Sequence, residues 1–174
     1  MRAVSRPLTV SSGRWFAAAA VAVALAVPSS ARAQRRAGGS LGLGLVVGDP
    51  TGVTLEYHRR RPGFGHAIEL AVGLDTFDDS DVYVHLIWKF YLAELVRGSA
   101  VDVPIYTGVG PWIAEHDHAG HDGDIHVGGR MPFGIALDFR RAPLQVYFEL
   151  ALDLQLVHDV DLGVDGAIGF RWYF

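Results

Sequence analysis

Leu144-Gln145-Val146-Tyr147-Phe148-Glu149-Leu150-Ala151-Leu152-Asp153-Leu154-Gln155-Leu156 is the stretch on which the fold turns. Every even position is Leu, Val or Phe, and the odd positions are Gln145, Tyr147, Glu149, Ala151, Asp153 and Gln155. A period of two sends successive side chains to opposite faces of a β-strand. One face wholly apolar and the other bearing carboxylates and amides suits a barrel wall between lipid and a polar interior. The closing stretch repeats the pattern, with Leu162, Val164, Ile168, Phe170, Trp172 and Phe174 set against Asp165, Gly169, Arg171 and Tyr173.

Outward from these two segments, Gly, Pro and acidic clusters divide the chain into eight predicted strands, near residues 40–48, 53–60, 65–76, 82–92, 101–114, 125–139, 144–156 and 162–174. The fourth places Val82, Val84, Leu86, Trp88, Phe90 and Leu92 on one face and Tyr83, His85, Ile87, Lys89 and Tyr91 on the other, Ile87 being the apolar misfit. Gly48-Asp49-Pro50-Thr51-Gly52 supplies the positive-φ turn that a short hairpin between the first two strands needs. Breaks are predicted at Leu92 to Ala100, Glu115 to Asp124, Arg140 to Pro143 and His158 to Asp161, among others.

Alternation alone does not say which face of a barrel points outward. A soluble, lipocalin-like barrel puts apolar residues inside, whereas a membrane barrel inverts the arrangement. The inverted reading is favoured because Glu56, Glu69, Glu149 and Asp153 share the polar face with Lys89, Arg130 and Arg171. Charges of both signs can fill a small eight-stranded interior in pairs. Trp88, Phe90, Phe170 and Trp172 fall near predicted strand ends on the apolar face, as interfacial aromatics do.

The first 33 residues read as a cleavable signal peptide: Arg2, Arg6 and Arg14, an apolar run from Trp15 to Val27, then Ala31-Arg32-Ala33. The apolar run, about 13 residues, falls short of the roughly 20 that a membrane-spanning helix needs. Cleavage after Ala33 leaves a barrel domain over residues 34–174. It removes four of the 15 basic residues and none of the 19 acidic ones, moving the formal charge from -4 to -8. That acidity, with Lys89 the single lysine, argues against nucleic acid as a partner. Cysteine is absent from this exported chain, so no disulfide framework stabilises it.

Charge also sorts by connection. Odd-numbered connections carry Asp49; Asp78, Asp79 and Asp81; Glu115, Asp117, Asp122 and Asp124; Asp159 and Asp161, with no Arg or Lys. Even-numbered connections carry Arg59, Arg60 and Arg61, then Arg97 beside Glu94, then Arg140 and Arg141. Neighbouring connections of an up-and-down barrel lie at opposite ends, so an eight-strand count gives one acidic rim and one arginine rim. With the N-terminus entering from the periplasm, the acidic rim is expected outside.

These features resemble the small OmpA/OmpX-like outer-membrane β-barrels. The chain is similar in particular to an uncharacterised barrel family whose first hairpin reads G-x-G-x-x-x-G-x-P-T-G, here Gly42, Gly44, Gly48, Pro50, Thr51 and Gly52. The likeness extends through Gly108-Val109-Gly110, Arg130-Met131-Pro132-Phe133-Gly134 and Ile168-Gly169-Phe170-Arg171-Trp172-Tyr173-Phe174. It implies an integral outer-membrane protein of a Gram-negative-type envelope, in contact with outer-membrane lipids. A strand ending in Phe174 resembles the signal read by the barrel assembly machinery. The resemblance brings no catalytic residues.

The most chemical-looking stretch is Glu115-His116-Asp117-His118-Ala119-Gly120-His121-Asp122-Gly123-Asp124, followed by His126. His116, Asp117, His118, His121 and His126 are candidate ligands for a divalent metal, although their spacing is irregular and a solvated acidic loop accounts for the same composition. Gly42-Leu43-Gly44 is no dinucleotide loop, because Val47 stands where the third glycine belongs. Glu149 and Asp153 share one side of a strand roughly 13 Å apart, too far for a retaining carboxylate pair, and are expected to pair with Arg130 or Arg171. Ser40, Ser80 and Ser99 sit in predicted terminal or loop positions and give little support to a nucleophile.

The sequence thus predicts an all-β, eight-stranded antiparallel transmembrane barrel, monomeric and non-enzymatic, with a structural or surface-interaction role. A soluble periplasmic lipocalin-like carrier and metal capture by residues 115–126 are the alternatives.

Overall fold

The computed structural model describes residues 39–59, 65–74, 82–116, 124–157 and 160–174. They form eight strands: β1 (Leu41–Gly48), β2 (Thr51–His58), β3 (Gly65–Leu74), β4 (Val82–Arg97), β5 (Val101–His116), β6 (Asp124–Phe139), β7 (Leu144–Gln155) and β8 (Asp161–Tyr173). Each pairs antiparallel with the next, and β8 returns to β1, where Leu43 faces Trp172 and Leu45 faces Phe170. The sheet is a closed barrel, as the alternation predicts. The predicted signal peptide lies outside the described residues.

The β1–β2 turn is built as its residues demand. Gly48 has a φ of 134°, open to glycine and costly to other residues. Its amide donates to Thr51 Oγ1 at 3.1 Å while the Thr51 hydroxyl donates back to the Gly48 carbonyl at 2.8 Å. The turn is tighter than predicted, because Thr51 and Gly52 already belong to β2.

The largest departure concerns β4, which runs to Arg97 rather than ending at Leu92. Its pairing with β5 shifts register between Tyr91 and Ala93 and again between Glu94 and Val96. Each irregularity breaks the inside–outside alternation without ending the ladder. Trp88 and Phe90 consequently lie in mid-strand in β4 rather than near its end. The predicted break over Glu115 to Asp124 is also shorter, since β5 reaches His116 and pairs it with Asp124 of β6. Polar strand ends carry no hydrophobic period to betray them.

Burial follows the alternation with the usual sense reversed. Trp88 is 54% exposed and its neighbour Lys89 is fully buried; Leu150 is 49% exposed and Arg171 fully buried. The outer wall is Leu, Val, Ile, Phe and Trp, while the inner wall is charged residues, tyrosines, alanines and glycines, with Ile87 buried among them. Tyr106, Trp112, Tyr147 and Tyr173 each lie across a cross-strand glycine: Gly134, Gly128, Gly169 and Gly42 respectively. A Cβ at Gly134 or Gly169 would run into the phenol ring opposite. At about 3.3 Å per residue and a tilt of about 40°, the 12 residues of β7 rise roughly 30 Å, the thickness of a hydrocarbon layer.

Candidate functional site

The concentration of chemistry lies inside the barrel, where β2 to β8 send charged side chains toward one another. At the center is Lys89, whose Nζ lies 2.9 Å from Glu69, 3.1 Å from Glu149 and 3.6 Å from Glu56. It also sits over the Tyr106 ring, 4.5 Å from the centroid, and the Tyr106 hydroxyl donates to Glu149 at 3.0 Å. Arg171 pairs with Glu56 at 2.8 Å and with Glu69, donates to Thr54 Oγ1 and Gln145 Oε1, and stacks its guanidinium 4.0 Å above Tyr147.

Toward the odd-connection end, Arg130 holds Asp153 at 2.5 Å and Asp165 at 2.8 Å and donates to the Asp49 carbonyl at 3.1 Å. Beside it Tyr83 stacks on Trp112, ring centroids 5.6 Å apart, and meets His85 edge-on. Toward the even-connection end, Glu56 accepts hydrogen bonds from Tyr91 (3.0 Å) and Tyr173 (2.9 Å) and faces His58 Nε2 at 2.5 Å. Gln145 bridges this group to Asp138, its amide donating at 2.8 Å. At the rim Arg140 forks onto Asp102 and Arg97 pairs with Glu94.

The sequence reading placed Glu56, Glu69, Glu149, Asp153, Lys89, Arg130 and Arg171 together, and they are together. Its pairing of the β7 carboxylates holds for Asp153, which takes Arg130. It holds for Glu149 too, which pairs with Arg130 at 3.9 Å, although Lys89 at 3.1 Å is its nearer cation; Arg171 is committed to Glu56 and Glu69. The participation of His58, Tyr91, Tyr106, Tyr173 and Gln145 escaped it. A signal was available for the aromatics: Tyr106, Trp112, Tyr147 and Tyr173 face a glycine across the ladder.

A buried charge with several partners is held, not displayed. Such a network fixes side chains in the lumen and keeps each buried charge compensated. The imidazoles of His58 and His85 face carboxylates and a phenol: His58 has Glu56 and Tyr173, and His85 has Glu69 at 3.3 Å.

Of the candidate metal ligands, Asp117, His118 and His121 lie outside the described residues. His116 stands opposite Asp124, and His126 opposite Ala114, at the odd end of the β5–β6 ladder. Among the described residues no group of three or more His, Asp or Glu is arranged to hold a metal ion.

No protein-family model matches this chain, and no curated protein matches it significantly. Among solved structures it is similar to the N-terminal β-barrel domain of Pseudomonas aeruginosa OprF, at 11% sequence identity and a TM-score of 0.49, covering 78% of this chain and 99% of that domain. The fold assignment stands on this chain's own closed hydrogen-bond ladder.

Proposed function

We propose that this protein is an integral outer-membrane barrel with a structural or surface-interaction role in the envelope. The observation that carries the reading is the inverted wall, in which Lys89, Arg130 and Arg171 are buried while Leu70, Trp88, Phe133, Leu150 and Ile168 are exposed. A contiguous apolar surface of this kind on every strand has no stable place in water. In a bilayer it is the solvated face.

A lumen lined by ion pairs and tyrosine hydroxyls has the wrong chemistry for an apolar ligand, so the soluble carrier is the weaker reading. Catalysis is not part of the proposal, because the buried imidazoles are committed to carboxylates and phenol, not to Ser40 or Ser99. Export through residues 1–33 and a periplasmic arginine rim complete the proposed topology. Fractionation of the native envelope tests it. Recovery with outer-membrane fragments, and a band that migrates faster unboiled than boiled, is the expected result. Recovery among soluble periplasmic proteins would overturn the proposal.

A further inference from the structure

The outward aromatic residues are unevenly distributed between the two ends of the barrel. Near the odd-connection ends the wall carries Val47, Leu74, Val82, Ile113, Leu154 and Leu162. Among the described residues no aromatic ring faces outward in the last four positions of any strand at that end. At the even-connection ends stand Tyr57, Phe139, Trp172 and Phe174, all exposed. Among the described residues the outward aromatics at strand ends thus gather at the even edge, and Trp and Tyr rings settle at phospholipid headgroup level.

One group adds charge to this aromatic edge. His66, exposed on the second residue of β3, lies edge-on to Phe90 at 5.4 Å and to Trp88 at 6.2 Å, and those two rings stack at 5.5 Å. Trp88 and Phe90 face Ile68 and His66 across the ladder, so although central in β4 they belong to the even edge of β3. Arg59 is fastened beside them, its amide donating to the His66 carbonyl at 3.4 Å. It is exposed, and no carboxylate is paired with it among the described residues, whereas the rim arginines Arg97 and Arg140 are held by Glu94 and Asp102. A guanidinium and an imidazole above an outward aromatic wall match, in order of depth, a phosphate and the glycerol and first methylenes of a lipid.

We propose that Tyr57, Arg59, His66, Trp88 and Phe90 form a docking surface for an anionic glycerophospholipid of the leaflet bordering the arginine rim, with Arg59 and His66 facing the phosphate. The proposal rests on the membrane reading and names the lipid class it favours at one edge. Charge complementarity selects the occupant: the even connections are arginine-bearing, and the nearest carboxylate on β2 or β3, Glu56 or Glu69, points into the lumen.

Brominated-lipid quenching of Trp88 tests it, using the purified folded protein freed of residues 1–33, and so of Trp15, with Trp172→Phe in vesicles of phosphatidylcholine mixed with phosphatidylglycerol. Trp112 is buried in the lumen and contributes an unquenched background. Brominated phosphatidylglycerol is expected to quench Trp88 with about fivefold preference over brominated phosphatidylcholine, the scale of one arginine at an anionic lipid surface. Arg59→Gln should abolish the preference, and Arg141→Gln, elsewhere on the same rim, should preserve it. Equal quenching by the two lipids in the parent protein, or a preference that survives Arg59→Gln, overturns the docking surface while leaving the barrel in the membrane. Quenching by neither lipid overturns both it and the membrane reading.

Discussion

At the scale of single residues the lumen works by commitment: each buried cation has more than one carboxylate, and Glu56 answers Arg171, Lys89, His58, Tyr91 and Tyr173 together. Glu56→Gln keeps the shape and removes the charge, leaving two buried cations short of a counterion. A loss of about 3–5 kcal/mol is expected, the cost of breaking a buried pair from one side. Urea unfolding from phospholipid vesicles measures it, and an unchanged midpoint would show that the remaining carboxylates compensate. Arg97→Gln removes an ion pair whose arginine is solvent-exposed at the rim and should leave the midpoint where it is. The glycines opposite the aromatics make a second test by shape alone. Gly134→Val drives a side chain into the Tyr106 ring and should cost about 1–3 kcal/mol, while Gly129→Ala points into open space and should cost almost nothing. Equal midpoints for the two glycine variants would mean that the ring opposite Gly134 yields freely.

At the scale of the strand, the eight elements and their inner and outer faces were legible in the sequence because period two is the one signal a half-polar wall must carry. Leu144 to Leu156 reads without a break, and so does the ladder it joins. The extension of β4 was not legible, since its register shifts scramble parity after Tyr91. Nor were the strand ends at His116 and Asp124, where polar residues leave the apolar band before they leave the ladder. In the lumen, composition revealed which charges face inward but not their partners. Pairing depends on reach across strands, and Lys89 meets Glu149, 60 residues away, where a reading along the chain would favour an arginine. Depth along one strand gives the prediction proper to this scale. Leu150, in the middle of β7 and facing outward, should cost about 2–4 kcal/mol on replacement by Arg, whereas Leu154→Arg near the odd end should cost about 0–1 kcal/mol. Unfolding titrations in vesicles compare the two. Were this outer wall in water instead, no gradient would be expected, because both exposed positions would already be hydrated.

At the scale of the whole molecule, the basic residues are divided between the interior and one rim. Lys89, Arg130 and Arg171 are buried in the lumen. Of the other arginines after residue 33, Arg35 and Arg36 precede β1, and Arg59, Arg60, Arg61, Arg97, Arg140 and Arg141 lie in or beside the even connections, while the odd connections carry Asp, Glu and His without one Lys or Arg. A protease specific for basic residues therefore reads orientation directly. With the acidic rim outside, trypsin added to intact cells finds no accessible site and leaves the protein at full length, while a protease specific for Asp cuts it in the connections bearing Asp78, Asp79 and Asp122. Permeabilising the outer membrane exposes the other rim, and trypsin then cleaves after Arg59 and Arg60 and after Arg140 and Arg141, Arg61 being protected by Pro62, besides trimming at Arg35 and Arg36, and the fragment sizes report those positions. Cleavage by trypsin on intact cells would place the arginine rim outside and reverse the topology, and with it the leaflet in which Arg59 and His66 meet lipid. The charge sorting makes this decisive because buried Lys89, Arg130 and Arg171 are shielded from either side as long as the barrel stays folded.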